Sequence, residues 1–347
     1  MKNNPGNKAI TYRDAGVNLE ESQLVKDNIK NLANKTYNSS VLGGVGGFGA
    51  MFKLKDYDNP VLVSSTDPVG TKLMVAKLAN DFSNIGIDLV NACVNDIIVL
   101  GADPLFFLDY IATSNIDNEV VQTIVEGIAS TCREIDCALI GGETSEMPGV
   151  FKEGNFDISG FIVGAVEEKL MLTPNTTVSQ GDVLIALPSD GLHTNGYSLV
   201  RHVYGLDDNP KPLFEYIDEL GETFGEALLR PHLSYYKNIL SVKRLIKGVA
   251  HITGGGIYEN LPRVLPKNMS AVVNASLWET PPLFDLIQTE GDININEMYR
   301  VYNMGIGMIL ISDKDNVSEI LNILDESFII GEVIPEEDQH LIKIINK

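Results

Sequence analysis

Residues 43–50 read GGVGGFGA, and the fold turns on what this glycine run is. Gly44, Gly46 and Gly49 satisfy the G-x-G-x-x-G spacing of a dinucleotide-binding turn. That turn needs a buried strand before it, a helix after it, then a second strand closed by an acidic residue about 20 residues on. Asp67, at the end of PVLVSST, stands at about that distance. The remaining requirements fail. NKTYNSSVL, ahead of the glycines, is too polar for a central parallel strand. AMFKLKDYDNP, behind them, is too short and too rich in turn residues for a crossover helix. No G-x-x-x-x-G-K-[ST] occurs either. What remains is a solvent loop, or a flap that covers an anionic ligand with successive backbone N–H groups beside Phe48.

Four further stretches share a pattern of strand end, glycine, acid and hydroxyl: STDPVGTK (65–72), IGGETSEMPG (140–149), PSDGLHTNGYS (188–198) and HITGGGIYENLPR (251–263). Loops at strand ends that open helices bind phosphates in α/β proteins. Asp67, Asp96 and Glu143 are hard oxygen donors suited to Mg²⁺, or else caps and turn residues. Lys72 is a phosphate contact or a solvated helix residue. His193, flanked by glycines and near Asp190 and Asn195, suits proton transfer near neutral pH, with a hydrogen-bonded structural histidine as the alternative.

Between these loops the apolar periodicity predicts helices over 19–34, 71–82, 85–102 and 117–135. Strands are expected at PVLVSST, PLFFLDYIAT, CALIGGET and DISGFIVGAV. In the helix over 85–102 Asp88, Asn91 and Asn95 form one polar stripe with Asp96 at its edge. The polar stretch LTPNTTVSQG (172–181) divides the chain into units 1–172 and 173–347, and a second alternation of strands and helices follows it. Residues 205–222 read as a surface insertion.

Composition narrows the partners. The 347 residues carry 26 Lys+Arg against 47 Asp+Glu, a formal charge of −21. Such a surface repels nucleic acid and anionic lipid, so any phosphate must be met by local N–H groups, a few cations or bound metal. The opening MKNNPGNKAITYRD lacks the apolar core of a secretory signal, and no run of about 18 apolar residues could span a bilayer. Cys93, Cys132 and Cys137 lack metal-site spacing and read as buried reduced thiols, so a cytoplasmic protein is expected.

Taken in order, TYRDAGV, GGVGGFGA, GIDLVNACVND, GADPLFFLDY, GGETSEMPG, HTNGYSLVR, HITGGGIYENLPRVLP and EMYRVYNMGIGM resemble the aminoimidazole ribonucleotide synthetase (phosphoribosylformylglycinamidine cyclo-ligase) family over nearly the whole chain. The resemblance implies an α+β, α/β-type two-domain fold whose N-terminal domains pair into a β-barrel across a homodimer. It also implies ATP-dependent closure of formylglycinamidine ribonucleotide to aminoimidazole ribonucleotide, with ADP and phosphate released and Mg²⁺ required. On that pattern Asp67, Asp96 and Glu143 surround Mg²⁺, with Asp67, Lys72 and His193 also counted as catalytic. Lys72, Gly44, Gly46, Gly47, Phe48, Gly49, Gly70 and Thr71 meet the ATP phosphates. His193 sits near the reacting amidine, and Asn195, Thr253, Gly254, Gly255 and Gly256 hold the substrate. The chain departs from the family at Pro68 (usually Gly), Arg13 (commonly Lys) and Ser145 (usually Ala). Among related enzymes of this fold, selenophosphate synthetase uses a cysteine or selenocysteine near its N-terminus, whereas the first here is Cys93. Thiamine-phosphate kinase lacks a GGETSEMPG-type stretch.

Overall fold

A computed structural model describes residues 19–172, 177–336 and 341–346, with side chains from residue 26 onward. TYRDAGV, Arg13 and the centre of the 172–181 stretch lie outside the described residues, as do the side chains of residues 19–25.

The first sheet has four strands in the order Pro60–Pro68, Phe156–Glu167, Asp103–Thr113, Ala138–Glu146. The first two contacts are antiparallel and the last is parallel. Its strands alternate, and the odd positions of Pro60–Pro68 face the helix Ile85–Ile98. That helix is buried almost all round, because it lies between the sheet and the helix Asn118–Glu134. The two helices approach at Gly86 and Gly127. A Cβ on Gly86 would stand 2.0 Å from the carbonyl oxygen of Ile124, so any larger residue forces them apart. Asp117 caps the second helix as its sequence suggests, accepting from the N–H groups of Glu119 and Val120.

Among the described residues the other face of this sheet is left uncovered. Leu62 and Phe161 lie exposed on it (62% and 43%), beside half-buried Phe106, Leu108 and Tyr110.

The second sheet has six strands in the order Ile246–His251, Ile306–Ser312, Val183–Pro188, Phe328–Pro335, Met269–Asn274, Ile342–Ile345. Every contact is antiparallel except the last. Ile306–Ser312 is buried at all seven positions, which explains its unbroken apolar reading. Mixed helix and strand content in two sheets agrees with the expected α+β class, and most strand contacts in both sheets are antiparallel. Residues 205–222 are more than a surface insertion: Leu206 and Leu213 are buried, and a small hairpin pairs Tyr216–Ile217 with Glu222–Thr223. All three cysteines are free and buried. Among the described residues no helix is long and apolar enough to cross a membrane.

Candidate active site

Three of the four strand-end loops behave as expected. Residues 65–72 lead into the helix Lys72–Ala79, residues 188–198 into Tyr197–Val203, and residues 251–263 into Gly256–Asn260. They converge. The Thr71 hydroxyl lies 3.0 Å from that of Ser198, and the space beside Gly254 is filled by the Asn195 amide. Asn260 ties the third loop, donating to the carbonyls of Thr253, Gly254 and Gly256. Gly255 and Gly256 take positive φ (92° and 58°) to start the short helix.

IGGETSEMPG opens no helix; most of it is the strand Ala138–Glu146. This places Glu143 differently from its expected role. Asp67, Gly160, Asp109 and Gly142 form one cross-strand row, and Pro68, Ser159, Tyr110 and Glu143 form the next. Neighbouring rows point to opposite faces of a sheet, so Glu143 projects from the uncovered face and Asp67 from the helix-covered one. Among the described residues no group of three or more His, Cys, Asp or Glu is placed to hold a metal. The expected trio is therefore a pair in this single chain.

That pair is well defined. Asp67 and Asp96 are hydrogen-bonded to each other. Burial, then the Asp96 charge and that shared hydrogen bond, push Asp67 up to about 7. Burial also works against ionised Asp96, but His251 and the Ser65 hydroxyl outweigh it and hold Asp96 below its usual value. Ser65 Oγ donates to Asp96 Oδ2 at 2.9 Å, and His251 Nδ1 lies 2.9 Å from Asp96 Oδ1. Below about pH 7 the pair therefore keeps one proton, on Asp67. A divalent cation can replace that proton, since Mg²⁺ typically takes one or two carboxylates and completes its shell with water and substrate phosphate. The donor set fits.

Lys72 moves out of the phosphate site. It is fully buried, pairs with Asp88 at 2.7 Å and donates to the Arg230 carbonyl at 2.6 Å. The polar stripe of the helix Ile85–Ile98 serves the same end. Asp88 accepts from the His232 N–H at 2.7 Å, Asn91 donates to the His232 carbonyl, and Asn95 bonds both the Leu233 carbonyl and the Tyr235 N–H. Residues 230–235 have no regular structure, so their buried backbone groups need side-chain partners. Asp88, Asn91 and Asn95 supply them and fasten the two halves of the chain together. Sequence singled out this stripe without its purpose; polar groups at i, i+3 and i+7 of an apolar helix signalled a buried polar partner.

His193 is buried, at positive φ (59°), and stacks on His232 with ring centroids 4.1 Å apart. Neither ring nitrogen has a hydrogen-bond partner among the described residues. Burial, then the charges of His251 and Lys72, holds its pKa well below the usual histidine range. The ring is thus neutral at pH 7, not the near-neutral titrating group expected from its loop. His232 and His251, absent from the sequence-based set, continue the line from His193 to Asp96: His232 Nε2 lies 3.2 Å from His251 Nε2.

The glycine run is the tip of a small hairpin, Val41–Gly43 with Met51–Phe52, with Phe48 fully exposed. Only Gly44 is demanded by packing. A Cβ there would meet the Tyr37 ring, whose hydroxyl accepts from the Val45 N–H at 2.8 Å. Gly46, Gly47 and Gly49 leave the tip free of side chains, as a flap requires.

Pro68 ends the edge strand Pro60–Pro68 at an exposed position, and the left-handed turn falls on Gly70 (φ 71°). Proline is suited to such an edge. We expect Pro68→Gly to keep turnover and lose about 0.4–1 kcal/mol of stability through a freer unfolded chain. Thermal denaturation beside a rate assay checks this, and a tenfold loss of rate would show that the proline shapes the site.

Comparison with known proteins agrees with this architecture. Residues 49–166 match the AIR synthase related protein, N-terminal domain, and residues 179–344 match the AIR synthase related protein, C-terminal domain. A phosphoribosylformylglycinamidine cyclo-ligase of Thermoanaerobacter pseudethanolicus is 48% identical over 333 residues, covering 94% of this chain and 98% of that protein. One from Brevibacillus brevis is 45% identical over 330 residues, covering 93% and 95%. Among solved structures, thiamine-monophosphate kinase of Stenotrophomonas maltophilia aligns with a TM-score of 0.67 at 16% identity, covering 92% of this chain and 95% of that one. A hydrogenase maturation protein HypE in complex with ATP aligns with a TM-score of 0.68 at 14% identity, covering 96% and 94%. These last two share the fold. With both domain types matched in order and close to half of all residues identical to full-length relatives, the chain belongs to the AIR synthase related protein family.

Proposed function

We propose that this chain is a phosphoribosylformylglycinamidine cyclo-ligase, closing formylglycinamidine ribonucleotide to aminoimidazole ribonucleotide with ATP, in the cytoplasmic synthesis of purines. The observation that carries it is near-half identity to cyclo-ligases over almost their whole length. A different ATP-dependent phosphotransferase of this fold is the alternative. The fold neighbours that would represent it are only 14–16% identical to this chain.

The chemistry asks for positioning and charge neutralisation. A formamide oxygen is a poor leaving group; transferring the ATP γ-phosphoryl to it lets it depart as phosphate. The ribosyl-bearing nitrogen then closes the five-membered ring. Mg²⁺, when bound, neutralises phosphate charge. Asp67 and Asp96 would hold it, with His251 and Ser65 fixing the orientation of Asp96. The hairpin tip, with Gly44, Gly46, Gly47, Phe48 and Gly49, and the turn at Gly70 and Thr71 would cover the phosphates with backbone N–H groups. Asn195, Thr253, Gly254, Gly255 and Gly256 would receive the ribonucleotide. A neutral His193 with two free nitrogens would accept or donate a hydrogen bond at the amidine. The boundary between domains is placed at 172/173, outside both matched segments.

A homodimer is part of the proposal. Leu62, Phe161, Phe106, Leu108 and Tyr110 leave an apolar sheet face that a second copy would cover, closing the two four-stranded sheets into a barrel. Glu143 projects from that same face. Sedimentation is expected to give a dimer at low micromolar concentration, and an active monomer there would remove this part of the account.

A further inference from the structure

The state of His232 can be read from its neighbours. The Asn95 amide is fixed by two backbone bonds: its oxygen accepts from the Tyr235 N–H at 3.0 Å, and its nitrogen donates to the Leu233 carbonyl at 2.8 Å. The same nitrogen lies 3.1 Å from His232 Nε2. An amide nitrogen only donates, so His232 Nε2 accepts. The same Nε2 lies 3.2 Å from His251 Nε2, and the other ring nitrogen, Nδ1, lies 3.3 Å from Thr194 Oγ1. The His232 backbone is held as firmly, with the N–H on Asp88 and the carbonyl on Asn91.

His193 is the reverse. Among the described residues no hydrogen bond orients its ring. What fixes it is contact: the His232 ring on one side, nearly parallel at 18°, and the Gly307 backbone, where a Cβ would stand 2.8 Å from His193 Cε1. A buried imidazole with both nitrogens unpartnered is costly unless something else meets them.

We propose that His232 is a positioning residue, a locked flat platform that holds the His193 ring in place for its role toward the substrate. Hydrogen bonds orient the platform, and stacking alone passes that orientation to His193. The inference deepens the proposed function and rests on His193 facing the substrate.

The test is a double-mutant cycle on the full-length protein with formylglycinamidine ribonucleotide and ATP. His232→Ala is expected to lower kcat about tenfold or more, with KM for ATP unchanged. His232→Phe keeps a flat ring and should recover most of that rate, even with a lower Tm from the lost hydrogen bonds. In a His193→Ala background, itself expected to be down about 10²-fold or more, adding His232→Ala should change kcat by less than about twofold, because residues acting as one unit are non-additive. Wild-type kcat in His232→Ala, no recovery in His232→Phe, or a full tenfold loss on top of His193→Ala would each overturn the platform. The last result would mean that His232 acts through His251 and Asp96 instead. An undiminished His193→Ala enzyme would remove the substrate role of His193 itself, whatever the His232 variants do.

Discussion

Asp67→Asn is expected to fold at least as well as the parent chain and to lose about 100-fold or more of its turnover. The structure gives a reason for each half. Without a cation Asp67 is about half protonated near neutrality and fully so a few pH units lower, its pKa pushed up to about 7 by burial and by Asp96. An amide imitates that protonated carboxyl and can donate the same hydrogen bond to Asp96. The folded pKa lies above the unfolded one, so the stability contributed by Asp67 is full below about 4 and is lost as pH rises through about 7. Metal-free Asp67→Asn should lack that decline, and should match or exceed the parent in Tm at pH 8. Turnover should fall because a neutral amide is a poor ligand for Mg²⁺. Changes to groups that merely orient a ligand already cost 10–100-fold in metal affinity or activity. Thermal melts at pH 6 and 8, with and without Mg²⁺, beside the rate at limiting Mg²⁺, test both halves. Full activity at limiting Mg²⁺ would remove Asp67 from the metal site.

Lys72→Met should behave oppositely, failing first in stability. Removing one partner of a fully buried ion pair leaves the other charge uncompensated, at a cost of about 3–5 kcal/mol. Asp88 already lies near 6, raised by burial and only partly restored by Lys72. Without the ammonium it must bind a proton or remain an isolated buried anion. The stability Asp88 contributes is complete below about 4 and is lost as pH rises through about 6. The deficit of Lys72→Met should therefore be largest at pH 8 and shrink by pH 5, where the carboxyl is protonated. Chemical denaturation at the two pH values measures it. A variant of normal stability but without phosphoryl transfer would return Lys72 to the phosphate site.

These two residues mark what was legible in the chain. Local patterns carried far: alternation gave the strand Pro60–Pro68, helical period gave Ile85–Ile98, and Asp117 gave the start of Asn118–Glu134. The order of motifs pointed to the family. What remained hidden depends on pairing register and on contacts remote in sequence. Glu143 was placed beside Asp67 because both lie near strand ends, yet a one-residue offset in register puts them on opposite faces. Lys72 opens a helix at a strand end, where a phosphate contact is common; only its approach to Asp88 and to Arg230 shows it is internal. His232 and His251 carry no motif of their own. They become part of the site only when the second half of the chain docks on the polar stripe of the first.

The most direct measurement of the account is ATP hydrolysis by the purified full-length chain with and without formylglycinamidine ribonucleotide, with aminoimidazole ribonucleotide assayed in the same tube. The account predicts that ADP release depends on that ribonucleotide and that one aminoimidazole ribonucleotide appears per ATP consumed. ATP hydrolysis that ignores the ribonucleotide, or ADP released without ring closure, would contradict it.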